Sequence, residues 1–222
     1  MKTTVIVAAT LLLFSCSDNT QTKSKNTIAE VYNAQVNKEN LTRENKEEYI
    51  KITVSNSSMI DTLHPNISSA NIALLAYQEM SSDEKSAIKT IDIELITQEN
   101  KNAGYTYQVD FMKGVEEKSD VFNELSSAIV NKDFKLLDQK RNAQEIPNAI
   151  EETMKQKLKF LEKNYGKLKG YTTFGLAEQN SSVGSAYQFQ AYLNFEKRDV
   201  PYFFHLFTEQ GKDEWVGFSI KN

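Results

Sequence analysis

Few side chains in this chain could act as nucleophiles, metal ligands or bases near neutral pH. Among the 222 residues there is one cysteine, Cys16, and there are two histidines, His64 and His205. These two histidines provide neither a paired metal-binding spacing nor the His-Glu-x-x-His helix that zinc enzymes use. A single thiol also excludes an internal disulfide and a thiolate cluster. The sequence therefore predicts no metal site and no cofactor.

His205 is the one candidate general base. It lies in the aromatic run 202–207, which is typical of a buried strand. In a concave sheet, a buried histidine close to a carboxylate such as Asp199 or Glu214 could act as a base. The other interpretation is a histidine of the core or of a strand edge. The chain has no nucleophile elbow, phosphate-binding loop or dinucleotide fingerprint that would specify a reaction.

Cys16 ends an apolar N-terminal segment. Met1-Lys2 is positively charged, and residues 5–14 are apolar apart from Thr10, as in the hydrophobic region of a secretory signal peptide. The run is too short to span a bilayer, which needs about 20 apolar residues. It leads into Leu13-Phe14-Ser15-Cys16, which resembles the lipobox of bacterial lipoproteins.

This resemblance implies a modification and a location. In bacterial lipoproteins the signal is cut before the cysteine, the thiol receives a diacylglycerol and the new amino group is acylated. Here residues 1–15 would be the signal peptide, and Cys16 would hold the protein on a lipid bilayer, at about 0.8 kcal/mol per buried methylene. Ser17 favours the outer membrane of the bacterial envelope. The other interpretation is an ordinary cleavable signal next to an unrelated cysteine.

Residues 16–45 are predicted to form a lipidated, flexible tether. Residues 17–26 contain no apolar side chain, so no burial offsets the entropy lost on ordering them. In the second part of this segment, Ile28, Val31 and Tyr32 have the spacing of one short amphipathic helix, which is the alternative there.

Residues 46–113 are predicted to form a small α+β domain of β-α-β-β order. Alternating apolar residues predict its strands, and a helix that is apolar nearly all round predicts a covered position. Ser68-Ser69 offers hydroxyl groups for the N-cap of this helix. The predicted elements are a strand over 50–54, a helix over 70–80, and strands over 88–95 and 105–111.

Residues 117–222 are predicted to form a second α+β domain after a polar break over 113–119. Its helices precede an antiparallel meander, so they should cover one face of a curved four-stranded antiparallel sheet, and the fold class is α+β. The predicted elements are a helix from Ser119 or Asp120 through Ile129, a short helix over 134–137, a long helix from Pro147 to Gly166, and strands over 172–176, 187–195, 202–207 and 216–220.

Residues 121–222 resemble small bacterial envelope domains of the nuclear-transport-factor or cystatin-like type. Gly166-Lys167-Leu168-Lys169-Gly170-Tyr171 and Trp215-Val216-Gly217-Phe218-Ser219-Ile220 carry the resemblance. It implies a helical start and a curved four-stranded sheet, and it implies little about chemistry.

Sheets with helices on one side can leave a cavity between the layers. Tyr187, Tyr192, His205 and Trp215 are the candidate lining residues for an apolar ligand, because their polar tips could orient it. The other interpretation is that these aromatic side chains close the core.

A formal net charge of −4 excludes the electrostatic footprint of nucleic-acid-binding proteins. The sequence predicts a lipid-anchored, non-catalytic binding or interaction module of the bacterial envelope, with an envelope protein or a small apolar ligand as partner. The alternative is an enzyme with a cone-shaped pocket that uses His205 as general base.

Overall fold

The computed structural model describes residues 27–181 and 184–221. The predicted signal peptide, Cys16, the first part of the predicted tether and part of the turn after Ser181 lie outside these residues. Within the described residues the chain forms two four-stranded sheets and seven helices. The fold is α+β, as the sequence predicts.

The first sheet has strands in chain order. β1 and β2 are antiparallel, β2 and β3 are parallel, and β3 and β4 are antiparallel. Three helices form the crossover between the two parallel strands. In chain order the elements are helix α1 (27–32), β1 (Gln35–Thr42), β2 (Glu48–Ser55), α2 (Ser58–Thr62), α3 (Pro65–Gln78), α4 (Ser82–Ala87), β3 (Ile88–Ile96) and β4 (Asn102–Gln108).

The second sheet is antiparallel throughout, also in chain order, and follows three helices. The predicted helix-then-meander arrangement is confirmed. The elements are α5 (Val109–Asn131), α6 (Phe134–Gln139), α7 (Glu151–Tyr165), β5 (Leu168–Ser181), β6 (Gly184–Phe195), β7 (Asp199–Phe207) and β8 (Trp215–Ile220).

The tether predicted over 16–45 is folded from residue 27 onward. Ile28 and Tyr32 of α1 are fully buried, which agrees with the helical alternative for this segment. β1 pairs with β2 along its whole length. Its sequence is mostly polar because an edge strand has only one neighbour in the sheet and buries less of its surface.

The helix predicted over 70–80 begins earlier, at Pro65. Proline is favoured in the first turn, since its fixed φ suits a helix and it has no N–H to leave unpaired. Ser68 and Ser69 are therefore buried helix residues and do not form the N-cap. Their hydroxyls donate to the carbonyls of Pro65 and Asn66, which satisfies them inside the helix.

Helix α5 runs through the predicted polar break. The alternation of Tyr105 and Tyr107 ends with β4, and Val109 and Phe111 belong to the first turn of α5 rather than to the strand. Val109, Met112 and Val115 are buried at helical spacing. Ser119 lies inside the helix and is buried, so it is not the N-cap.

The two predicted units share one hydrophobic core. The predicted boundary between them lies inside α5. Helix α3 also packs closely on β5, where a Cβ at Gly175 would lie 2.5 Å from Cγ2 of Ile67. A glycine at this position therefore permits the close approach between the first half and the second sheet.

Helix α7 begins at Glu151 rather than at Pro147. The Asp138 carboxylate accepts hydrogen bonds from the backbone N–H groups of Ile150 (2.7 Å) and Glu151 (3.1 Å), so α6 supplies the cap. The helix ends at Gly166 as predicted, where φ is +86°.

Candidate functional site

The four predicted pocket residues do not line one pocket. The rings of Phe189 and Tyr202 face α5, where Phe122 stacks on them at 5.2 and 6.0 Å. Side chains alternate along a strand, so Tyr192 and His205 lie on the opposite face of the second sheet.

The space between α5 and the second sheet is filled by aromatic rings. Phe122 is fully buried and lies within 6.3 Å of the ring centroids of four others. These rings are Tyr171, Phe189, Tyr202 and Phe204. In this region the aromatic side chains therefore close the core, which is the second of the two interpretations of the sequence.

His205 has an amide as its hydrogen-bond partner. Its Nε2 lies 2.7 Å from Nε2 of Gln188, and burial lowers the pKa of His205. The two carboxylates considered as its partners bond elsewhere: Asp199 accepts from Asn194 at 3.1 Å, and Glu214 accepts from Asn142 at 2.7 Å.

Trp215 joins α6 to the second sheet. Its side chain is buried, and Nε1 donates to the carbonyl of Leu137 at 2.8 Å. One edge of the ring borders an apolar hollow of about 320 Å³ beside Ile146, Phe218 and Ile220. This hollow lies apart from Tyr187, which faces a different cavity.

The cavity that Tyr187 faces is a cleft of about 470 Å³ between the end of the first sheet and β5–β6 of the second. We call it the junction cleft. Its walls come from α3, β4, the first turn of α5, β5 and β6. Its lining residues include Ile67, Tyr107, Phe111, Met112, Glu178 and Tyr187.

The transition from β4 to α5 places one wall of the junction cleft. Phe111 and Met112 project from the first turn of α5, where Met112 is buried and Phe111 is 43% exposed. Tyr107, at the end of β4, is held by a 2.7 Å hydrogen bond between its hydroxyl and that of Ser69 in α3. The aromatic wall thus depends on both α3 and α5.

The register of β5 and β6 places the opposite wall. Glu178 pairs directly with Tyr187, so the two side chains lie on the same face of the sheet. Tyr187 meets Phe111 edge to face, with ring centroids 6.1 Å apart and an interplanar angle of 77°. Leu176, two residues before Glu178, is buried beneath them.

The junction cleft has an uneven charge distribution. Burial, with a smaller contribution from the nearby charge of Glu178, raises the pKa of Tyr187 to about 12. Burial also raises the pKa of Tyr107. Both phenols are therefore protonated and neutral at physiological pH. Among the lining residues that the structure describes, Glu178 is the one carboxylate, and none is a lysine or an arginine.

Tyr187 is the one predicted lining residue that borders this cleft, and the sequence gives no signal for Phe111 or Glu178. Phe111 was predicted to be a strand residue, because the alternation of β4 continues to it by chance. Glu178 carries no motif. The partners come from segments separated by more than 60 residues, and only the fold brings Phe111 and Glu178 together.

Among residues 27–181 and 184–221, no helix has the length and apolarity needed to cross a bilayer. The same residues contain no group of three or more histidine, cysteine, aspartate or glutamate side chains placed to hold a metal ion. Comparison with protein-family models, with curated proteins and with solved structures gives no match for this chain.

Proposed function

We propose that this protein is a lipid-anchored, non-catalytic module of the bacterial envelope that binds a small ligand in the junction cleft. The observation that carries the proposal is the cleft itself. Its volume of about 470 Å³ falls within the range of about 300–1,000 Å³ that is typical of small-molecule sites. It also combines apolar walls with a few polar groups, as such sites do.

The exposure of Phe111 supports a ligand. Phe111 is one of two large hydrophobic side chains exposed among the described residues, and it borders a concave surface. Complete burial of a fully exposed phenylalanine side chain contributes about 1.5–3 kcal/mol, and covering the 43% of Phe111 that remains exposed would contribute part of this. A ligand that covers this ring would therefore gain affinity without a change of fold.

The polar groups of the junction cleft suit binding better than catalysis. The two phenols are held protonated by their raised pKa values, so they are poor bases. The remaining polar lining groups are the Glu178 carboxylate, the exposed imidazole of His64, and the amides of Asn66 and Gln179. Such groups can orient a ligand through hydrogen bonds.

The lipid anchor is supported by the lipobox at Cys16. The described fold begins at residue 27, so ten polar residues, 17–26, would separate the acylated cysteine from it. A flexible segment of this length has a root-mean-square span of about 17 Å. This distance would carry the folded part clear of the lipid headgroups.

Metabolic labelling with radioactive palmitate tests the anchor. We expect label in the wild-type protein and none in the Cys16→Ala variant. Equal labelling of the two proteins would contradict the anchor.

Analysis of co-purifying small molecules tests the cleft. The full protein would be purified in detergent, and its bound molecules would be identified by mass spectrometry. We expect the Phe111→Ala variant to lose a molecule that the wild type retains. Phe160→Ala is the matched control, because Phe160 is the other exposed large hydrophobic side chain and lies on α7. Identical small molecules in all three proteins would contradict ligand binding in this cleft.

A further inference from the structure

We propose that the junction cleft selects a ligand that carries an organic ammonium group, such as a quaternary or alkylated amine on a small apolar body. This inference rests on the proposed function, because it names the class of ligand for the same cleft. Two independent features of the cleft support it: the arrangement of its aromatic rings and the sign of its charge.

The aromatic rings form a corner. Phe111 and Tyr187 are nearly perpendicular at 77°, with centroids 6.1 Å apart, and Tyr107 adds a third ring to the lining. The face of an aromatic ring has a negative electrostatic potential, and it attracts a cation within about 6 Å of the ring centroid. Rings set at an angle can contact one alkylated ammonium group from more than one side.

Two of the three rings, those of Tyr107 and Tyr187, are held by contacts within the protein. The hydroxyl of Tyr107 is held by Ser69 at 2.7 Å, and Tyr187 also meets Phe189 of the core at 6.3 Å. Tyr187 is almost completely buried, while Phe111 keeps 43% of its surface exposed. A ligand would therefore pay little conformational entropy on the protein side, which favours affinity.

The charge of the junction cleft is complementary to a cation. Glu178 lies directly opposite Tyr187 across the β5–β6 pair. It is an exposed residue, and it forms no ion pair with any residue that the structure describes. His64, which is exposed, is the one histidine among the lining residues that the structure describes. An anionic ligand would be repelled by the Glu178 carboxylate, and the lining residues that the structure describes include neither a lysine nor an arginine to offset this repulsion.

The rings would also accept a neutral apolar ligand, although their faces favour a cation. The carboxylate adds to this preference, because it stabilises only a positively charged occupant. Selectivity for charge at constant shape is therefore the property that distinguishes an ammonium site from a general apolar cleft.

Three probes of nearly the same shape and different charge test this property. They are choline, its neutral analogue in which carbon replaces the quaternary nitrogen, and a carboxylate with the same tert-butyl group. Binding to the full protein in detergent would be measured by isothermal titration calorimetry. We expect choline to bind about tenfold more tightly than the neutral analogue, and the carboxylate to bind more weakly than both.

Two variants assign the effect to the cleft. Glu178→Gln should weaken choline binding about fivefold and leave the neutral analogue unchanged, whereas Glu44→Gln, which alters an exposed carboxylate between β1 and β2, should change neither. Phe111→Ala should weaken both probes, and Phe160→Ala should weaken neither. Thermal unfolding of each variant would verify that the fold is intact.

Equal affinities for choline and the neutral analogue, or no choline binding, would overturn the ammonium assignment. So would equal affinities of choline for the wild type and the Glu178→Gln variant. If the neutral analogue alone binds and Phe111→Ala weakens it, the ammonium assignment fails while the proposed ligand site stands. The proposed ligand site is contradicted only if, in addition, the same small molecules co-purify with the wild type and with the Phe111→Ala variant.

Discussion

The hydroxyl of Tyr32 donates a 2.7 Å hydrogen bond to the backbone carbonyl of Phe174, 142 residues further along the chain. Asn71 of α3 donates to the same hydroxyl oxygen at 2.9 Å. Tyr32 is fully buried, and burial raises its pKa. One phenol thus connects α1, α3 and β5, and it links the first residues of the described fold to the second sheet.

We expect Tyr32→Phe to lower the free energy of unfolding by about 1–3 kcal/mol, because two buried polar groups would lose their partner. Urea unfolding followed by circular dichroism measures this change. Tyr105→Phe is the control, because Tyr105 is only partly buried and its hydroxyl makes no hydrogen bond within the described part of the chain. An equal loss in both variants would contradict the role of the Tyr32 hydroxyl.

The shared core predicts that the second half does not fold alone. A fragment of residues 117–222 lacks the first two turns of α5 and all of α3, which covers β5. We expect it to unfold without a sharp transition, whereas the full chain should unfold in one cooperative step. Calorimetry would compare the unfolding transitions of the fragment and of the full chain. A sharp transition in the fragment would show an independent domain.

Lys118 holds the loop between β7 and β8. Its side chain is 2% exposed, and Nζ donates to the carbonyl of Lys212 at 2.7 Å and lies 3.3 Å from a carboxylate oxygen of Asp213. Asp213 is 57% exposed, so solvent screens its charge.

We expect Lys118→Met to lower the free energy of unfolding by about 1–3 kcal/mol, because the Lys212 carbonyl loses its donor. Asp213→Asn should cost less than about 1 kcal/mol. Urea unfolding of the two variants would measure both losses. A larger effect of Asp213→Asn would identify the ion pair, rather than the carbonyl contact, as the main interaction.

Tyr187 predicts a loss of stability at high pH. Its pKa is raised from 10.0 to about 12 in the folded protein, so folding favours the protonated phenol. The stabilisation is complete below pH 10, and it is lost as the pH rises through about 12, because the unfolded state releases its proton first.

Comparison of the wild type with Tyr187→Phe isolates this effect from that of the other tyrosines. The difference in the free energy of unfolding between the two proteins should shrink between pH 10 and pH 12. Urea unfolding at several pH values measures it. A difference that stays constant over this range would mean that the phenol titrates equally in the folded and unfolded states.

Local sequence patterns predicted the strands whose faces differ in burial. Ile50, Ile52 and Val54 alternate with polar residues, and β2 lies there with those three side chains buried. β1 was missed because its polar residues, such as Asn37 and Glu39, are accommodated by an edge position that only the assembled sheet defines. The start of α5 was missed because Phe111 continues the alternation of β4 by one further step.

The candidate site was predictable in part only. Tyr187 was identified as a lining residue, but its neighbours Phe111 and Glu178 come from elements whose contact depends on the packing of α5 against the second sheet. Tyr192, His205 and Trp215 are predicted to line a pocket with Tyr187 because all four have polar tips and lie in one sheet. A strand has two faces, and a sheet has several neighbours, so membership of one sheet does not place side chains in one pocket.

The position of a bound ligand is the most direct test of binding in the junction cleft. Choline would be titrated into the isotope-labelled protein, and backbone amide shifts would be followed by nuclear magnetic resonance. We predict that the largest shifts lie in the junction cleft, at Ala70, Phe111 and Glu178. Shifts confined to the hollow beside Trp215, or to the face that carries His205, would contradict binding in the junction cleft.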